Sequence, residues 1–102
     1  MHKYSLAFSP AFEQSMEEIY WYIFFVLQNP ISADKIAKKI RSRCYSLSIF
    51  PNGYAVRITR NGIGYRFLHV ENYTVIYHVD DSLRTVFVDN IFYSRRNIAD
   101  LI

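Results

Sequence analysis

Arginines and a phenol offer this chain its most plausible chemistry. Tyr93, Arg95 and Arg96 cluster near the C-terminus, and Arg66 stands earlier. A phenol can move a proton and guanidinium groups can hold phosphate, so a ribonuclease site here would use Arg66, Tyr93 and Arg95. The same cluster could serve only as contact surface for a macromolecule. In a plainer reading Arg95 and Arg96 form a solvated basic tail, with Tyr93 packed at the end of a sheet. Arg66 alternates with Tyr65 and Phe67 and so faces away from them. It could contact an anion, phosphate or carboxylate. Equally, it could pair within the fold with Glu13, Glu17, Asp80 or Asp89.

Arg57 and Arg60 fall between Gly53 and Gly62, in a segment read as a connecting loop. They either extend a basic rim around the sheet or keep that loop soluble. His2, His69 and His78 share no close ligand spacing and Cys44 has no thiol partner, which predicts no zinc site. Gly62-Ile63-Gly64 lacks the lysine and the strand-to-helix context of a phosphate loop. No Ser/His/Asp or Cys/His triad has support from spacing, and nothing calls for a cofactor.

The elements that must position these groups follow from periodicity. Lys3 to Phe8 alternate in polarity and predict a short strand. Ser9-Pro10 gives a helix start, with a hydroxyl cap and proline at the first helical position. Phe12, Met16, Ile19, Ile23 and Val26 then recur on one helical face. Trp21, Phe24 and Phe25 lie off that stripe, so the late part of the helix is apolar nearly all round. In so small a protein this predicts burial against a partner. Asn29-Pro30 breaks the helix, and Ser32 is the expected cap of the next. There Ala33, Ile36, Ile40, Cys44 and Leu47 form the buried stripe, while Lys35, Lys38, Lys39, Arg41 and Arg43 take the exposed side.

Phe50-Pro51-Asn52-Gly53 ends the helical hairpin. From Ile63 the period changes to two, with strands predicted over Ile63–Val70, Tyr73–Val79 and Leu83–Phe92. A turn at Glu71-Asn72 would set Val70 opposite Tyr73, His69 opposite Thr74 and Leu68 opposite Val75. The last strand is apolar on both sides and belongs inside a covered sheet. The order is β-α-α-β-β-β: an α+β fold with an N-terminal strand, an α-helical hairpin and a three-stranded antiparallel meander.

The chain's 102 residues suit one domain, residues 1–102. Half of them are hydrophobic (51%) against 21% charged, which excludes a disordered chain. The single cysteine fits a reducing compartment. No signal peptide is visible. The longest apolar run, Ile19 to Leu27, falls short of the roughly 20 residues of a membrane span, so a cytoplasmic protein away from membranes is expected. A net charge of +3 permits nucleic acid or an acidic protein as partner and requires neither.

Several segments, in order, resemble the RelE/ParE toxins of type II toxin–antitoxin systems. They are the opening strand, Ser9-Pro10 before the first helix, Leu47-Ser-Ile-Phe50-Pro51, Gly64-Tyr-Arg-Phe-Leu68 and Asn72-Tyr-Thr-Val-Ile-Tyr77. Ile91-Phe-Tyr-Ser-Arg95-Arg96-Asn97-Ile98 closes the series. The resemblance implies growth inhibition neutralised by a cognate antitoxin, with a toxin–antitoxin heterotetramer as one assembly. It implies either a ParE-like inhibitor of DNA gyrase or a RelE-like endonuclease cutting mRNA on the ribosome. Thr74 stands where the RelE-like pattern carries an essential arginine. Threonine has no charge and one donor where arginine has five. Arg66 matches an arginine that ParE-like members also keep, and Tyr93 and Asn97 replace His and Asp of the closing signature. These departures favour the ParE-like arm. The residues expected to meet antitoxin or target are Trp21, Phe24, Phe25, Arg57, Arg60, Arg66, Tyr93, Arg95 and Arg96. A non-toxic binding module on the same fold is a third reading, since fold alone does not fix function.

Overall fold

The computed structural model describes residues 3–95. Strand β1 (Ser5–Phe8) leads into helix α1 (Pro10–Trp21), a π turn (Tyr22–Val26) and helix α2 (Pro30–Ser46). Four strands follow: β2 (Val56–Arg60), β3 (Ile63–Val70), β4 (Tyr73–Asp80) and β5 (Thr85–Tyr93). The expected order holds, with one strand more. The segment read as a loop carrying Arg57 and Arg60 is β2, joined to β3 through Asn61-Gly62. Both turn residues have positive φ, 52° and 78°, as a tight hairpin between right-twisted strands demands. That Asn-Gly pair was the sequence signal for this hairpin.

The five strands form one sheet in the order β1-β5-β4-β3-β2. The meander is antiparallel, while β1 returns to pair with β5 in parallel, Ser5 opposite Thr85 and Phe8 opposite Val88. The β3–β4 register is the one expected, with His69 opposite Thr74 and Leu68 opposite Val75.

Helix α1 starts as its sequence dictates. The Ser9 hydroxyl accepts the Phe12 amide at 2.9 Å and Pro10 occupies the first turn. The predicted apolar stripe holds through Phe12, Met16 and Ile23 and then fails at Val26, which is 64% exposed. The cause is the π turn, closed by the Leu27 amide donating to the Tyr22 carbonyl at 3.1 Å. One extra residue in a turn rotates everything after it by about 100° and carries Val26 off the buried face. Helix α2 is capped by Asn29 rather than Ser32. The Asn29 side chain accepts the Ser32 amide at 3.1 Å, and Pro30 takes the first helical position.

The core lies between the helical hairpin and one face of the sheet. Phe12, Met16, Ile40, Cys44 and Leu47 pack from the helices onto Leu68, Val75, Tyr77, Val86, Val88 and Ile91. Among the described residues no helix covers the opposite face, yet Thr74 and Ile76 on it are 0% and 2% exposed. Val88 and Ile91 both face the helices although three residues apart. A β-bulge between Ile76 and Tyr77 of β4 and their β5 partners makes this possible, leaving Asp89 as the extra residue.

Candidate functional site

The open face of the sheet takes every second residue of the central strands. From β3 come Tyr65, Phe67 and His69, and from β4 come Thr74, Ile76 and His78. The bulge adds Asp89 to this face, and His78 Nδ1 meets Asp89 Oδ2 at 2.7 Å. An ionised carboxylate only accepts, so with Asp89 ionised the His78 Nδ1–H donates this bond. The imidazole stacks on Phe87 (centroids 5.0 Å, interplanar angle 15°) and meets Tyr65 edge-on. Burial lifts the Asp89 carboxyl above its usual range, and the bond from His78 partly offsets this. Sequence reasoning missed this pair. Its signal was the polar Asp89-Asn90 step, which breaks an otherwise regular alternation.

Beside it runs a second polar string. His69 Nδ1 lies 3.0 Å from Thr74 Oγ1, which lies 2.9 Å from Ser94 Oγ. Thr74 is wholly buried, so its hydroxyl is committed to these neighbours. Among the described residues the Thr74 hydroxyl is bonded to no arginine or lysine.

The predicted site residues do not converge. Arg57 is on the open face of β2, its guanidinium 5.4 Å from the Phe67 ring centre. Arg60 is exposed at the hairpin end of the same strand. Arg66 faces the helix side and donates to the Tyr54 carbonyl. Among the described residues it makes no ion pair with the four acids that could have taken it. Glu13 is bound to Arg41, Asp89 to His78, and Asp80 to Ser82 and the Leu83 amide. Tyr93 is opposite Tyr73, four residues along and two strands across from Arg66. At about 3.4 Å per residue and 4.8 Å per strand, their backbones are about 17 Å apart. Arg95 is exposed in the turn beyond Tyr93, and Arg96 lies outside the described residues.

Arg41 departs from its expected role on a solvated face. It grips Glu13 with both nitrogens (2.8 and 2.6 Å), joining α2 to α1, and lies over the rings of Phe8 and Phe12. The bidentate bond holds the Glu13 carboxyl below its usual range. Lys39 pairs with Glu71 and ties α2 to the β3–β4 turn. Cys44 is sealed in the core, where burial pushes its thiol up to about 12.

The hairpin tip carries the aromatic surplus. Trp21 and Phe25 stack at 5.2 Å with Phe24 against both, and they are 45% and 65% exposed. Val26, Leu27 and Ile31 extend this surface. These aromatics are therefore only partly buried in one another.

Such an α+β sheet, with one face under a helical hairpin and an apolar tip in solvent, is the fold of a known class of small toxins. The chain belongs to the ParE toxin family of the type II toxin–antitoxin system parDE, whose family pattern matches residues 6–98. Among solved structures it resembles the chromosomal ParDE toxin–antitoxin system from P. aeruginosa. That likeness has a TM-score of 0.73 at 22% identity, over 91% of this chain and 98% of that one. The toxin–antitoxin complex RelBE2 from Mycobacterium tuberculosis gives 0.67 at 17% identity, over 91% and 93%. The isolated E. coli RelE toxin gives 0.54 at 16%, over 96% and 93%. At these identities the likeness is one of fold. Comparison with curated protein sequences returns no match. No helix among the described residues is long and apolar enough to cross a membrane.

Proposed function

We propose that this chain arrests growth by inhibiting DNA gyrase and that a cognate antitoxin neutralises it. The observation that carries this reading is Thr74. The position where a RelE-like nuclease needs a cation holds a buried, neutral hydroxyl bonded to His69 and Ser94. A phosphorane-like transition state draws its stabilisation from preorganised positive charge, and among the described residues no arginine or lysine is bonded to Thr74. Arg66, facing the other side of the sheet, is too far from Tyr93 to work with it. The family match to ParE toxins supports the same arm.

Antitoxin binding is supported by two of these solved structures, one described as a toxin–antitoxin system and one as a toxin–antitoxin complex. The exposed aromatic tip adds to this, because large apolar side chains gathered at one place in solvent mark a surface for a protein partner. A heterotetramer in the cytoplasm is the assembly we expect. The test is supercoiling by purified gyrase with this protein added, beside mRNA integrity in a translation extract. Inhibited supercoiling with intact mRNA is expected. Cleavage that disappears in Arg66→Ala and Tyr93→Phe would establish the nuclease instead. Induced expression without growth arrest would leave a non-toxic binding module.

A further inference from the structure

Where the π turn meets the far ends of β4 and β5 there is a cleft of about 630 Å3, lined by Glu18, Ile19, Tyr22, Leu27, Asn72, Tyr73 and Tyr93. We propose that this cleft binds the cationic side chain of an arginine or lysine presented by a partner protein segment. Its three phenol rings come from separate elements, Tyr22 from the π turn, Tyr73 from β4 and Tyr93 from β5. Tyr73 and Tyr93 are set edge to face, centroids 5.9 Å apart at 66°. Phenol rings lining a gap can offer a cation both π surface and hydroxyl acceptors, the chemistry by which aromatic cages hold cations.

Charge points the same way. Among the described residues the lining contains one carboxylate, Glu18, and no Lys, Arg or His. Glu18 takes a long bond of 3.4 Å from Gln14 and forms no ion pair among the described residues. On a chain of net charge +3 this is a local reversal of sign. Lys39, near the Asn72 turn, is engaged by Glu71. An apolar guest would desolvate Glu18 and the phenol oxygens without replacing their hydrogen bonds, and an anion would meet the carboxylate. Burial raises the Tyr73 phenol above its usual range, and Tyr93 and then Tyr22 add to this, consistent with three hydroxyls crowded into one site.

The size and surroundings favour a side chain on a peptide over a free small cation. The cleft opens onto Tyr22, Val26 and Leu27, which are 53%, 64% and 55% exposed and can receive the apolar neighbours of the cation. The inference is independent of the gyrase reading, since it concerns the purified protein's own affinity.

The test is a titration of the full chain, with ring and methyl resonances observed by NMR, against two capped peptides, Leu-Arg-Leu and Leu-citrulline-Leu. Citrulline keeps the shape of arginine and removes its charge. We expect millimolar binding of the arginine peptide, with shifts at Tyr22, Tyr73, Tyr93 and Leu27, and at least tenfold weaker binding of the citrulline peptide. Glu18→Gln and Tyr93→Leu should each weaken the arginine peptide about fivefold, the scale of one ion pair or one cation–π contact. Unchanged melting temperatures in both variants would show that folding is intact. Glu18 and Tyr93 are each partly open, so Glu18→Gln alone serves should Tyr93→Leu melt early. Equal affinity for the two peptides, shifts centred elsewhere, or no binding would overturn the proposal.

Discussion

Tyr77 offers the sharpest physical test of this fold. Its ring is fully buried in the core between the sheet and the helices, yet among the described residues its hydroxyl has no hydrogen-bond partner. Burial pushes that phenol up to about 12, against the pull of nearby Arg66. A buried donor left unpaired costs about 1–3 kcal/mol relative to its state in water. Tyr77→Phe removes the oxygen and leaves the ring packing in place. The loss is one atom's worth of dispersion contacts, on the order of 0.5 kcal/mol. The net expectation is stabilisation by about 0.5–2.5 kcal/mol. For a domain of this size about 1 kcal/mol corresponds to roughly 4–8 °C in Tm. Thermal unfolding followed by circular dichroism, with urea midpoints as a second measure, reads the change. Destabilisation of the variant by more than about 1 kcal/mol would refute the reasoning, because only a hydroxyl that is satisfied in solution could be worth that much.

Further outcomes follow from other contacts. Glu13 has its pKa lowered in the folded state, so its contribution is present above the unfolded carboxylate pKa and is lost as pH falls through the folded value. Glu13→Gln should therefore lower stability at pH 7 by about 0.5–1 kcal/mol, discounted for an ion pair partly open to water, and converge on wild type in acid once the folded-state carboxyl is protonated. Urea melts across that range check it. Thr74→Val keeps the shape of a buried side chain and cuts the link between His69 and Ser94, which should cost about 1–2 kcal/mol by the same melts. At Gly64 an added Cβ would lie 3.0 Å from both methyl carbons of Val56. Gly64→Ala should loosen β2, seen as faster amide exchange in Val56–Arg60 with β4 and β5 unchanged.

Patterns with strong local causes were readable in the chain. Ser9-Pro10 sets a helix start wherever it falls, and the Glu71-Asn72 turn fixes the β3–β4 register because a slip would turn Leu68 and Val75 out of the core. What escaped depends on departures from regular periods. The π turn moves Val26 out of a stripe that perfect helical spacing would keep, and the bulge at Asp89 places a carboxylate beside His78 that strict alternation does not pair with it. β2 was overlooked because its residues are mostly exposed and charged, as suits an edge strand, although Asn61-Gly62 marked its end. Candidate site residues were harder still. Arg66 and Tyr93 are close in chemical kind but lie on different strands at different depths, and only the sheet order shows that they stand apart. The cleft among Tyr22, Tyr73 and Tyr93 joins three distant stretches of sequence, so no spacing rule could have found it.

Cys44 carries a further consequence. Held protonated and wholly shielded in the last turn of α2, it cannot meet an alkylating reagent until the helical hairpin lifts from the sheet. The rate at which a maleimide tags the native protein thus becomes a clock for that opening, built in without any added probe. The same inertness lets a second, surface cysteine be introduced and labelled selectively while the original residue stays in place.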